Sequence, residues 1–196
     1  MADKTIVTLG DSLTEWNQWY ALDPNSRVIN LGLSGDTAMG VYYRLNLVAR
    51  QKPDLVFLQV GINDLAQGRE PSELVQIHRR LWGAITARIP GVKLVVLSLA
   101  PVRKAKFAWI IETLTNQRVR RANALLAPAA QSAGLDYIDL YSVMAEADGE
   151  LPDGYTDDGV HLTPAAYKVW LKELVTYLSQ IAFSPPAPTE SANPPQ

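Results

Sequence analysis

The chain has 196 residues, 47% of them hydrophobic and 19% charged, enough apolar material for one ordinary domain with a core. A net charge of −2 leaves no basic excess for nucleic acid or an anionic membrane, and the absence of cysteine excludes disulfides, thiolate catalysis and cysteine-ligated zinc. No apolar run nears the roughly 20 residues of a membrane span, and MADKTIVTLG lacks a long apolar segment after its lysine, so the expectation is a cytoplasmic protein with no signal peptide.

Strands and helices alternate along the chain. A β-branched run at Lys4–Leu9 predicts a first strand, followed by a helix over about Leu13–Tyr20. Trp16, Trp19 and Tyr20 fall at helical spacing there and read as core. Val28–Leu31 is a second strand closed by Gly32, and Ala38–Val48 a helix. Leu55–Val60 is a third strand ending at Gly61. Leu74, Ile77, Leu81, Ile85 and Ile89 then recur with helical period between Pro71 and Pro90-Gly91, with His78 read as a surface residue on the flank. Val92–Leu99 is a fourth strand, Arg118–Ala133 a helix and Leu135–Leu140 a fifth strand. Thr163-Pro164 predicts an N-cap and N1 for a last helix that buries Leu171, Leu174, Val175, Leu178 and Ile181. Residues 1–183 form the expected domain, and the proline-rich tail from Ser184 to Gln196 is expected to be disordered.

Short apolar strands alternating with helices predict an α/β/α sandwich with a parallel sheet covered on both faces. The carboxyl ends of parallel strands share one edge, where ligands bind. Just past the first three strands come Gly10-Asp11-Ser12, Gly32-Leu33-Ser34-Gly35-Asp36 and Gly61-Ile62-Asn63-Asp64. Before the last helix comes Asp157-Asp158-Gly159-Val160-His161. Ester hydrolysis needs this inventory. A serine hydroxyl (Ser12) attacks only once a neutral imidazole (His161) takes its proton. A carboxylate (Asp158, three residues earlier) holds the imidazole. The amides of Ser12 and Gly35 and the side chain of Asn63 can receive the oxyanion. Each piece also has a plain structural reading: Ser12 as a helix cap, Asp158 as a loop acid, Asn63-Asp64 as a turn.

GDSLT at Gly10–Thr14, the glycine of SGDTA at Gly35, GIND at Gly61–Asp64 and DGVH at Asp158–His161 resemble, in order, the four blocks of the SGNH (GDSL) hydrolases. The run VINLGLSGDTAMGVYYRL is similar to the catalytic subunits of intracellular platelet-activating-factor acetylhydrolase and their bacterial relatives. The resemblance implies a flavodoxin-like five-stranded parallel sheet of order 2-1-3-4-5 and ester hydrolysis without metal or cofactor. It places the catalytic triad at Ser12, Asp158 and His161 and the oxyanion hole at Ser12, Gly35 and Asn63. The acetylhydrolase subunits carry asparagine where this chain has Asp64.

Leu13, Ile62 and Val160 adjoin Ser12, Asn63 and His161, so they are expected to wall the acyl site. The expected substrate is a small-molecule ester with a short, acetyl-type acyl group. Within the same family the alternatives are a lysophospholipase or acyl-thioesterase and a carbohydrate acetylesterase. Outside it, the alternative is a non-catalytic ligand-binding module. Arg103–Ile111 (RKAKFAWII) follows the fourth strand at the active edge and reads either as a helix start packed in the core or as a flap. No signal for oligomeric state stands in the sequence.

Overall fold

The computed structural model describes residues 4–107 and 111–181. Strand β1 (Lys4–Gly10) is followed by a single turn of helix, α1 (Ser12–Glu15), and a 3-10 turn at Trp19–Ala21. The helix expected to reach Tyr20 stops early. The side-chain amide of Asn30 lies 3.0–3.1 Å from the carbonyl oxygens of Thr14, Glu15 and Asn17, and so takes up the acceptors that a longer helix would use internally. Strand β2 is Ser26–Gly32.

The helix expected over Ala38–Val48 is two, α2 (Ala38–Tyr43) and α3 (Leu45–Arg50), broken at Arg44. The Arg44 guanidinium reaches back to Asp36 Oδ2 (2.6 Å), Leu31 O (2.8 Å) and Gly10 O (2.9 Å), which holds its backbone out of helical register. Strand β3 (Leu55–Gln59), α4 (Ile62–Ala66) and α5 (Pro71–Arg88) follow, the last opening with proline as expected. Then come β4 (Lys93–Leu97) and α6 (Asn116–Ser132), which starts earlier than Arg118 because Thr115 caps it by accepting from Arg118 N. Strand β5 spans only Asp136–Ile138, since Asp139 turns to cap α7 (Leu140–Met144). Helix α8 is Pro164–Gln180.

The five strands are all parallel in the order β2-β1-β3-β4-β5, with helices flanking, as the sequence and its family resemblance imply. Every residue of β3 is buried, the mark of a strand covered on both faces. Helix α5 packs against α2, α3, α4 and α6, while α8 packs on α7 and sets Tyr177 edge-on to Phe57 of β3.

Two expectations about helix faces are corrected. The buried stripe of α8 is Ala166, Tyr167, Trp170 and Leu174. Leu171, Leu178 and Ile181 only flank the core, and Val175 is 41% exposed. Aromatic bulk at 167 and 170 fills the space under Trp19 and rotates the helix toward it. Thr163 stands at the N-cap position, but its hydroxyl bonds Gly154 O instead of capping. The tail from Ser184, together with Trp109 and Ile110 of the suggested flap, lies outside the described residues.

His78 is buried, not on the surface, and its Nε2 lies 3.1 Å from Val60 O. It falls between Leu74 and Leu81 on the apolar stripe and meets Trp82 edge-on. Burial pulls its pKa down from 6.5 to about 4, against the bond to Val60. The folded protein therefore keeps a neutral imidazole that the unfolded chain protonates below 6.5. This group contributes stability above pH 6.5 that is lost as pH falls to about 4, about 3 kcal/mol across the window. His78→Gln gains no charge. Its stability relative to wild type, measured by urea unfolding, should improve steadily from pH 6.5 to pH 4; a difference independent of pH would contradict the assignment.

Candidate active site

Strand β1 ends at Gly10, opposite Gly32 of β2 and Gln59 of β3, so three loops leave the sheet at one level. After β1, Asp11 caps α1 by accepting the Leu13 amide at 3.0 Å, and Ser12 is the first helical residue. The cap is thus Asp11, which frees the Ser12 hydroxyl to point elsewhere. Ser12 Oγ lies 3.0 Å from His161 Nε2. On the other edge of the ring, His161 Nδ1 lies 2.6 Å from Asp158 Oδ2.

Asp158 organises its own loop. Its Oδ1 accepts the amides of Val160 (2.9 Å) and His161 (2.8 Å), leaving Oδ2 for the imidazole. Burial pushes this carboxyl up, but the His161 bond and the two amides outweigh it and hold the group below the usual carboxylate range. Asp157 is exposed beside it. Gly159 has φ +91, and a Cβ there would meet Arg103 O at 2.4 Å and Phe107 at 2.5 Å. The 103–107 segment is therefore packed on the loop. Arg103 N donates to Gly159 O (2.8 Å), and Lys106 Nζ donates to Asp153 O (2.7 Å) and Thr156 O (2.9 Å).

After β2, Gly35 has φ +78 with nothing within 4 Å of where a Cβ would stand. Its backbone conformation demands glycine, and its surroundings are open. After β3, Asn63 donates one amide hydrogen to Asp36 O at 2.9 Å, tying the third loop to the second. The structure thus brings Ser12, Asp158 and His161 into one hydrogen-bonded series, and Asn63 onto the loop that carries Gly35. Of the residues expected to wall an acyl site, Leu13 is 1% and Ile62 2% exposed, both within the core, and Val160 is half-buried. Among the described residues, no group of three or more His, Asp or Glu is placed to hold a metal ion.

Sequence reasoning missed two participants. Trp16, read as core, is 55% exposed and stacks on His161, with ring centroids 3.9 Å apart and planes 17° apart. Tyr20 is exposed as well, and only Trp19 of the three aromatics is core. Arg44 binds the ends of β1 and β2. Neither had a local signal beyond residue type.

Behind Ser12 lie three acids. Asp36 pairs with Arg44, and the buried Asp64 accepts Ala38 N (2.9 Å) and Arg69 Nε (3.0 Å). Asp11, fully enclosed, has no cation partner shown. Burial raises its pKa from 3.8 to about 7, assisted by the charges of Asp36 and Asp64 and opposed by the amides of Leu13 and Gly61. The sign is opposite to that of His78. The folded state holds a proton that the unfolded chain releases above 3.8, so this contribution is full below 3.8 and lost as pH rises through about 7. Asp11→Asn has no proton to lose. Against wild type it should gain stability from pH 4 to pH 7, by up to about 4 kcal/mol, in thermal or urea unfolding. No change in the gap would mean that Asp11 is ionised in the folded protein.

Comparison with known proteins gives the following. A sequence model of the GDSL-like lipase/acylhydrolase family matches residues 8–169. A stretch of 113 residues is 34% identical to Esterase TesA of Pseudomonas aeruginosa, spanning 50% of this chain and 55% of that protein. Platelet-activating factor acetylhydrolase IB subunit alpha2 of Rattus norvegicus is 26% identical over 183 residues, 90% of this chain and 76% of that one. The crystal structure of a GDSL-like lipase from Bacteroides thetaiotaomicron superposes with a TM-score of 0.76 at 24% identity, over 90% of this chain and 88% of that chain. At that identity the likeness speaks for the fold. No helix among the described residues is long and apolar enough to cross a membrane.

Proposed function

Because the chain belongs to the GDSL-like lipase/acylhydrolase family, we propose that it hydrolyses carboxylic esters with Ser12 as nucleophile, His161 as base and Asp158 as the group that orients the base. The observation that carries this reading is the series Asp158 Oδ2–His161 Nδ1–His161 Nε2–Ser12 Oγ, with separations of 2.6 and 3.0 Å.

With Asp158 accepting at Nδ1, the neutral ring keeps its proton there, and Nε2 is free to accept from Ser12. Ser12 Oγ attacks the ester carbonyl as its proton passes to Nε2. The carbonyl oxygen becomes an oxyanion, received by the amides of Ser12 and Gly35 and by the Asn63 hydrogen not used on Asp36. His161 then gives its Nε2 proton to the departing alkoxide, leaving an acyl group on Ser12. Water, deprotonated by the same nitrogen, releases the acid and restores the hydroxyl. Asp158 stays ionised throughout, which its depressed pKa favours.

Ser12→Ala and His161→Ala should each lower kcat on p-nitrophenyl acetate by roughly 10⁴–10⁶-fold with thermal stability largely retained. Asp158→Asn should lose far more activity than Asp157→Asn, whose side chain is exposed. Near-normal turnover by Ser12→Ala would remove the mechanism, and no turnover by wild type would favour a non-catalytic binding module.

The acyl group accepted is short. Leu13 and Ile62, tethered in sequence beside Ser12 and Asn63, are closed into the core, so a long acyl chain could lie against them only by displacing core side chains. Val160, next to His161, is half-buried. Across a p-nitrophenyl ester series, acetyl or propionyl should be turned over best. A methylene in an apolar pocket is worth about 1 kcal/mol or more, so a misfit chain shows in kcat/KM. Ile62→Ala should move the optimum toward butyryl. If it instead loses roughly 2–5 kcal/mol of stability with an unchanged profile, Ile62 is core alone. Octanoyl preferred over acetyl would move a lysophospholipase or acyl-thioesterase to first place. Activity confined to acetylated sugars would indicate a carbohydrate acetylesterase.

A further inference from the structure

Trp16 is an unusual tryptophan for its place. It ends a helix of four residues and leaves 55% of its surface exposed, so core packing does not account for it. Its contacts are specific. One face lies flat on the His161 imidazole at 3.9 Å, and its Nε1 donates to Ser34 Oγ at 3.0 Å. Ser34 in turn is held by the carboxylate of Glu15, the residue before Trp16, through its amide (2.8 Å) and its hydroxyl. Ser34 immediately precedes Gly35.

Building on the triad reading above, we propose that Trp16 is a positioning residue that fixes the plane of the His161 ring and registers it against the loop carrying Gly35. The two hydrogen bonds of His161, to Asp158 and Ser12, are made by the ring nitrogens and leave the faces of the ring uncovered. The flat indole covers one face and limits the tilt of the ring on that side. An aromatic face also favours a cation over a neutral ring, and His161 becomes imidazolium only while the tetrahedral intermediate exists. The contact therefore strengthens in the chemical step, not on substrate binding. Through Ser34, the same residue holds the candidate oxyanion loop at a set distance from the base.

The test uses Trp16→Ala and Trp16→Phe beside Ser12→Ala, all in the full chain. Trp16→Ala should lower kcat roughly 5- to 30-fold, the equivalent of about 1–2 kcal/mol, with KM within about twofold and a melting temperature close to wild type. Trp16→Phe, which keeps a ring without the N–H, should recover most of the lost kcat. Unchanged kcat in Trp16→Ala, or a rise in KM alone, overturns the positioning role; the latter makes Trp16 a substrate contact. Trp16→Phe no more active than Trp16→Ala overturns the stack. In each of these cases an inactive Ser12→Ala leaves the esterase reading standing, whereas an active Ser12→Ala removes that reading first.

Discussion

The site depends on the pairing of β1 on both sides. The first strand of the chain lies inside the sheet, bonded to β2 along Lys4–Gly10 and to β3 along Ile6–Gly10. Its end is therefore level with theirs, and residues two to four positions beyond each strand become neighbours without long loops to order. The carbonyls left over at that edge are not wasted on solvent. Arg44 collects those of Gly10 and Leu31 while pairing with Asp36, and Asn63 binds the Asp36 carbonyl. The second helix breaks so that this side chain can reach. A local loss of helical regularity thus sets the relative positions of the first three loops.

The fourth loop has no such support from the sheet, since His161 is 149 residues from Ser12. It is held instead by contacts at either side. Asp158 draws in two amides of its own turn, and Thr156 and Leu162 form an isolated antiparallel bridge. Arg103, Lys106 and Phe107 press on it from the end of β4. Helix α8, which follows directly, returns to the segment that carries Ser12: Tyr167 Oη donates to Leu13 O at 2.8 Å. The residue after Ser12 is thereby joined to the helix that carries His161 at its mouth, so the separation of hydroxyl and imidazole follows from the docking of α8.

Charge is arranged to match. Asp36 and Asp64 have guanidinium partners, and Asp158 has the imidazole and two amides. Asp11 accepts backbone amides but has neither a guanidinium nor an imidazole, and burial pushes its pKa up. Burial raises the Asp11 carboxyl, while the acid in contact with His161 is held below the usual carboxylate range. The two carboxyls nearest Ser12 and His161 thus shift in opposite directions, because one is fully enclosed and the other is partly exposed and bonded to an imidazole.

Strand and helix order, the parallel sheet and the D-x-x-H spacing were legible in the sequence because each is local or periodic: alternation marks strands, and three residues let a carboxylate accept amides of its own turn. The residues beyond the strands could be placed at one edge because parallel strands share one. The tertiary structure alone decided what meets across elements. Period placed His78 near the stripe of α5 but not its burial against Val60, and gave Trp16 a helix spacing that Asn30 of β2 cuts short. Arg44 carried no signal, since the carbonyls it binds come from two other strands. The order of strands and helices and the segments that follow each strand are set along the chain; helix docking decides which face is buried and which partners those segments find, because such contacts depend on distances in space that no spacing along the chain encodes.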